Sequence, residues 1–501
     1  MRIALMLAAG LLVAAPARAA EPSLNAEVRA WRSTHEAEIV GQLVDLTRIR
    51  SVAADPAGLQ AAADRLQGEL TRRGFETRQL SAGPGTPPVV YGAFASPKAK
   101  RTVVFYAHYD GQPVAPAQWR SDPFEPVMRA GLTGPDVDWR AARSPYDPEW
   151  RLFGRGASDD KSSIVAFLAA LDALKAHGRK PSVNLKVFWE GEEERNSPHL
   201  DAILRQNQAM LAADLWLIGD APVHQSRRRT IYFGARGNAD VEATVYGPLR
   251  AMHSGHYGNW IPNPAAMAGQ LIADLRDAEG GVRIAGFDSD VRPLTPTERK
   301  AIADLPPIED ALKRELALGR SEGADGLTAS TMRPALNIDS LRAGDGGRAI
   351  PTEATISIDF RLVPDQTPEG VRAKFEAQLK ALGWTVVHDD PDPATRAASP
   401  RLIKLAWGGG YPALRSDMTS PEAKAVIATA SRAAGEPVAV LPMMGGSVPI
   451  YLFADILKAP VIGLPIVSHD NNQHASNENA RLQNLWDGIE TYAALIADLS
   501  W

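Results

Sequence analysis

The chain has 501 residues, 45% of them hydrophobic and 23% charged, with a formal net charge of −5 at pH 7; this is enough for two or three domains of ordinary globular composition. The acidic balance without a basic stripe excludes nucleic acid as an expected partner. The absence of cysteine excludes a disulfide framework and a thiol nucleophile, so a transition-metal site must be built from His, Asp and Glu.

The chain opens with MRIALMLAAGLLVAAPARAAEP. Arg2 supplies a short basic start, Ile3 to Ala15 an apolar core and Ala17-Arg18-Ala19 a small-x-small cleavage pattern. This predicts a signal peptide over 1–19 and a secreted protein free of the membrane after cleavage. The short, Ala-rich signal points to a bacterial periplasm. No later stretch reaches the length of a membrane-spanning helix.

Amphipathic helices are predicted over 33–47, with Ile39, Leu43 and Leu46 on one face, and over 58–74. The short apolar run Val103 to Ala107 reads as a strand buried on both faces. Similar runs recur at 184–190, 214–220 and 459–465. Between the first two lies a helix in which Ile164, Phe167, Leu168 and Leu171 recur at helical spacing, with Gly178 as its stop. Buried strands alternating with helices predict an α/β fold with a mixed, largely parallel sheet flanked by helices.

Near residue 238 the period changes to two. Val241, Ala243 and Val245 share a face. So do Ala354, Ile356, Ile358, Phe360 and Leu362, with Arg361 on the opposite face. Helices are predicted over 264–279 and 368–382, the second stopped by Gly383, followed by the strand WTVVHD. This reads as a small α+β, ferredoxin-like domain over 238–403, inserted between catalytic parts 20–237 and 404–501. Residues 282–349, rich in Gly, Pro and charge, read as irregular insertions, and WDGIETYAALIADLSW reads as a core helix.

Polar groups follow the buried runs. His108 and Asp110 follow the first, Glu193 and Glu194 the second, Asp220 the third and His474 the last; Asp159 lies in a Gly-rich turn before a helix. The glutamates of FWEGEEERNSPH alone fit a solvated acidic turn. Their convergence with the other groups at the carboxyl ends of strands, where open α/β sheets bind ligands, favours a metal site. Two histidines and three carboxylates suit two divalent ions, zinc first, with manganese or cobalt as alternatives. A shared carboxylate would hold them about 3.5–4 Å apart, and a further carboxylate must stay off the ions to act as base.

The motifs HYDGQP, GRGASDDK, EGEEE, IGD, MHSGHYGN, RLVPDQ, GGSVP and HASNE resemble, in this order, those of the M20 metallopeptidases, and most closely the carnosinase-like dipeptidases and related carboxypeptidases. The resemblance runs from about residue 40 to the C-terminus. It implies a zinc-exopeptidase sheet with the inserted domain as lid and dimerisation unit. Asp159 would bridge two ions, His108 and Asp220 would complete one site, and Glu194 and His474 the other. Glu193 would be the general base, with Asp110 orienting His108. His253 would serve the oxyanion in a partner subunit's site, hence a homodimer. Arg361 would clamp a substrate carboxylate, the alternative being a solvated sheet face. Gly445, Gly446 and Ser447 would offer it backbone N–H groups, the alternative being a simple turn. Asn337 is a candidate contact to substrate or intermediate. A cis peptide is implied after Asp159, and Ser162 departs from the glycine of the family motif. Glu190 and Glu192 read as structural or exposed, and His35, His177, His199 and His224 as exposed.

The function expected is a dinuclear metal-dependent exopeptidase acting on dipeptides or on the C-terminal residue of short peptides. An N-acyl-amino-acid amidohydrolase is the alternative on the same scaffold. A non-catalytic periplasmic binding protein is disfavoured, because base and ligands are all present.

Overall fold

The apolar run 103–107 lies in the strand Thr102–His108, and its side chains feed two separate cores. In the computed structural model, which describes residues 23–501, Val103, Phe105 and Ala107 join one cluster, whereas Val104 and Tyr106 join another on the opposite face. The signal peptide read over 1–19 lies outside the described residues. Both faces are covered because helices flank them. Leu24–Arg48, Lys161–Ala176 and Leu482–Asp498 pack on the first face, and Leu200–Gln206 and Tyr451–Leu457 on the second. Two-sided burial explains why such strands read as unbroken apolar runs.

The sheet has eight strands in the order Glu76–Leu80, Val89–Phe94, Asn184–Glu190, Thr102–His108, Leu215–Ile218, Val461–Gly463, Thr230–Tyr232, Ala439–Leu441. Its centre is parallel: Thr102–His108 pairs in parallel with Asn184–Glu190 and Leu215–Ile218, and the latter with Val461–Gly463. The strand Val89–Phe94 is antiparallel to both of its neighbours, so the sheet is mixed, as predicted.

A second sheet of five strands runs Ala335–Ala343, Glu353–Leu362, Gly237–Tyr246, Leu402–Tyr411, Thr385–Val387. The alternating residues Val241, Ala243, Val245, Ile356, Ile358 and Phe360 point into one core under the helices Pro264–Leu275 and Pro368–Ala381. Two expectations need correction. The strand Leu402–Tyr411 pairs with Gly237–Tyr246, so the break expected at 403/404 falls inside a strand of this second sheet. Residues 282–349 are not wholly irregular. They include the short helices Pro296–Ala303 and Glu309–Glu315 and, at the sheet edge, the strand Ala335–Ala343. Among the described residues no helix is long and apolar enough to cross a membrane.

One close approach links the sheet to the loops at its edge. The Tyr232 ring lies against Gly463 of the neighbouring strand, where a Cβ would overlap it, and its hydroxyl donates to the backbone carbonyl of Asp220 at 2.8 Å. Gly463→Ala is expected to destabilise the protein by about 1–3 kcal/mol, the usual cost of overpacking, in chemical denaturation. Gly68→Ala, at an open helical position, is expected to leave stability unchanged or raised.

Candidate metal centre and substrate cavity

Four neighbouring parallel strands set the site. Asn184–Glu190, Thr102–His108, Leu215–Ile218 and Val461–Gly463 end at one sheet edge. The chain leaving that edge carries, in the same order, Glu193 and Glu194, His108 and Asp110, Asp220, and His474. Asp159 arrives from the turn before the helix Lys161–Ala176, with a cis Asp159–Asp160 peptide as the resemblance implied.

The geometry brings these side chains together. Asp159 Oδ1 lies 3.0 Å from His108 Nε2, and its Oδ2 lies 3.3 Å from His474 Nε2. One carboxylate oxygen thus faces each imidazole, the disposition a bridging ligand needs. His474 Nε2 is also 3.2 Å from Glu194 Oε2. The ligand atoms of His108, Asp159 and Glu194 lie within 4.8 Å of one another, as do those of His108, Glu193 and Asp220. Glu193, expected to stand clear of the ions, therefore lies within reach of the ligand set.

Asp110 does more than orient an imidazole. The His108 Nδ1 hydrogen bond goes to the Asp110 backbone carbonyl at 3.2 Å, with the carboxylate 3.4 Å away. That contact leaves Nε2 facing Asp159, as a metal-ligating imidazole would need. The Asp110 carboxylate accepts the backbone N–H groups of Glu193 and Glu194 at 3.2 and 3.1 Å. It thereby pins the short 3-10 turn Glu193–Arg195 so that both side chains meet the cluster.

Electrostatics show what this cluster lacks. Burial, then Asp159, pushes Asp220 up to about 7. Burial, with Asp220, Glu194 and Asp110, pushes Glu193 upward against the opposing pull of His108. Burial disfavours charge on His108, yet its hydrogen bonds to Asp110 and Asp159 outweigh that and raise it. Bonds to Asp159 and Glu194 raise His474 to about 10. These shifts all trace to negative charge crowded into a buried space, which divalent cations would offset. Glu194 Oε1 is buried without a hydrogen-bond partner, an orphaned oxygen that a cation would satisfy. The donor set, imidazole and carboxylate only, suits zinc, manganese or cobalt.

A cavity of about 400 Å³ opens on the cluster, lined by Asp159, Glu193, Asp220 and His474 and also by Arg361, Gly445, Gly446 and Ser447. Arg361 belongs to the open face of the second sheet. Its Nε donates to Asp359 Oδ2 at 2.7 Å and its Nη1 to Ser447 Oγ at 2.7 Å. Asn337 is not among the residues lining the cavity; its amide donates at 3.1 Å to the same Asp359 oxygen that Arg361 bonds. His253 is exposed and does not line its own chain's cavity. Its Nδ1 accepts the Gly255 N–H at 3.1 Å, which leaves Nε2–H as an outward donor.

Other expectations are corrected or sharpened. His224, read as exposed, is buried, lines the cavity and bonds Ser226 Oγ through Nδ1 at 2.8 Å. Glu190 and Glu192 are buried and structural: Glu190 accepts the Tyr106 hydroxyl at 2.9 Å, and Glu192 accepts the His199 N–H at 3.0 Å. Ser162 fits without disturbing the turn, its hydroxyl donating to the Ser158 carbonyl at 2.9 Å. Asp359 and Gln112, which donates to Glu194 Oε2 at 2.6 Å, have no counterpart among the predicted site residues. Asp359 is two residues from Arg361 on one strand, so strand period alone would have paired them.

An imidazole–carboxylate cluster at the carboxyl edge of a parallel sheet, with a guanidinium in the same cavity, defines a metal-dependent hydrolase. The sequence profile of Peptidase family M20/M25/M40 matches residues 104–498, and the chain belongs to that family. It is 26% identical to a Cys-Gly metallodipeptidase of Saccharomyces cerevisiae over 82% of each chain. It is also 26% identical to the Beta-Ala-His dipeptidase of Homo sapiens, over 96% of this chain and 93% of the relative. Among solved structures, an M20 family metallo-carboxypeptidase from Sulfolobus solfataricus superposes with a TM-score of 0.73 at 26% identity, covering 92% of this chain and 98% of the other. Human carnosine dipeptidase 1 shares the fold, with a TM-score of 0.77 at 22% identity over 95% of this chain and 99% of the other.

Because the cluster is short of positive charge, chelator-treated protein is expected to melt at a higher temperature once zinc is restored, by scanning calorimetry. A site binding only the folded state adds about 2.7 kcal/mol at a hundredfold excess over Kd. An unchanged Tm would contradict the metal reading.

Proposed function

We propose that the protein is a dinuclear, zinc-dependent exopeptidase that hydrolyses dipeptides or releases the C-terminal residue of short peptides. Manganese or cobalt would substitute for zinc. The observation that carries this reading is the shared cavity: the Arg361 guanidinium, suited to a carboxylate, and the imidazole–carboxylate cluster line one space of about 400 Å³. A space of that size holds a small ligand with its ends defined. The names of the yeast and human relatives support a dipeptide, and that of the archaeal structure supports a C-terminal residue.

In this reading Asp159 would be shared between the two ions, His108 and Asp220 would help hold one, and Glu194 and His474 would help hold the other. When bound, the ions supply Lewis-acid chemistry, lowering the proton affinity of water and polarising the scissile carbonyl. Glu193 takes the proton from the attacking water and returns it to the leaving amine. Arg361 holds the substrate carboxylate through Nη2, which bonds no protein acceptor among the described residues, aided by the N–H groups of Gly445 and Gly446. The partner subunit's His253 donates Nε2–H to the oxyanion, so the active form is a homodimer. Its exposure and its place outside its own cavity support that role. The protein is exported to the periplasm after loss of residues 1–19.

Glu193→Gln is expected to retain its zinc in elemental analysis while kcat on a dipeptide falls by about 10²–10⁴; full activity would reject the base assignment. In the same assay, preferred turnover of N-acyl amino acids over dipeptides would move the protein to the amidohydrolase reading.

Arg361→Met is expected to lower kcat/KM about 10–100-fold, the worth of a charged hydrogen bond. C-terminal amidation of the dipeptide is expected to cost wild type as much. The two losses are expected not to add, and additive losses would separate Arg361 from the carboxylate.

A further inference from the structure

We propose that Glu478 is a positioning residue of the metal centre, locking the backbone that presents the bridging Asp159 to the loop that presents His474. The proposal rests on the metal reading above and on no particular substrate.

The Glu478 carboxylate is completely buried, and every bond it makes goes to the turn ahead of the helix Lys161–Ala176. Oε1 accepts the backbone N–H groups of Ser158 and Asp159, both at 2.9 Å. Oε2 accepts the Gly156 N–H at 3.0 Å and Arg155 Nη1 at 2.7 Å. The second arm of Arg155 returns to the Ala475 carbonyl at 3.0 Å, one residue past His474. Three amides converging on one carboxylate form an anion-binding nest, filled here by a side chain of the protein itself.

The position of this nest explains its use. Asp159 must place one oxygen toward each of two imidazoles that come from distant parts of the chain. His474 has a left-handed backbone, φ 61°, as do Asn472 at 55° and Asn477 at 61°. Such a loop needs outside support to keep one conformation. Asn471 adds a parallel tie, its amide donating to Ser158 Oγ at 2.9 Å. The two ligand segments are thus laced together through groups that never reach the cavity. Outer partners of this kind set ligand orientation, and their loss typically lowers metal affinity 10–100-fold.

A glutamine keeps the shape but turns an N–H₂ group toward an N–H donor or the guanidinium. In competition against a chromophoric chelator, the full-length Glu478→Gln protein is expected to bind zinc 10–100-fold more weakly than wild type. The visible spectrum of its cobalt form is expected to change. Glu36→Gln removes an equally buried carboxylate bonded to Arg32 and the Tyr146 amide and to none of the predicted ligands. It is expected to keep wild-type affinity and spectrum, which separates positioning from general loss of stability. If Glu478→Gln does not fold, Arg155→Lys is read in its place, with a several-fold weakening expected. Unchanged zinc affinity in the folded variant overturns the proposal alone, whereas wild-type protein that binds neither zinc nor cobalt overturns the metal reading with it.

Discussion

The parallel ladder centred on Thr102–His108 is the constraint on which the rest depends. A parallel strand pair aligns the carboxyl ends of its members, and four such strands lie side by side here. Sequence-distant acids and imidazoles are therefore delivered to one place by backbone hydrogen bonds, before any side chain contributes. The cost is electrostatic: carboxylates that would repel one another in water are gathered where little water remains. Cores on both faces of the sheet, with Trp189 on one side and Trp216 on the other, keep the strands from splaying under that repulsion.

The second sheet closes the cavity from another direction. Its alternation leaves one face for the helices and the other for polar residues, among which Arg361 reaches Ser447. That contact joins residues 86 apart in sequence and fixes the guanidinium in the cavity that the cluster also lines. The guanidinium and the imidazole–carboxylate cluster are thereby supplied by different sheets.

Much of this was legible in the sequence. Two-sided burial produced the apolar runs, and one-sided burial produced the clean alternation of residues 354–362, so both sheets were visible. The candidate ligands were visible because all but Asp159, which sits in a Gly-rich turn before a helix, follow such a run. The 403 boundary was not, since Ile403 and Leu405 continue the alternation of the second sheet while Gly408, Gly409 and Gly410 disguise the rest of the strand. The strand Ala335–Ala343 was hidden because an edge strand buries little beyond Leu336. His224 was misread for a related reason: a loop residue is buried by what folds over it, which no local pattern records. Hydrogen bonds through the backbone, such as those of Asp110 to the amides of Glu193 and Glu194, leave no trace in residue type.

The fixed posture of Arg361 has a thermodynamic consequence. An arginine side chain carries about 2 kcal/mol of rotamer entropy, and two of the three guanidinium nitrogens are already tied, to Asp359 and Ser447. Most of that freedom is surrendered during folding, so little remains to be lost when a ligand docks. In the proposed function, a guanidinium so immobilised would act as a ruler: a substrate carboxyl group arriving at the wrong separation from the scissile carbonyl would find nothing able to bend toward it.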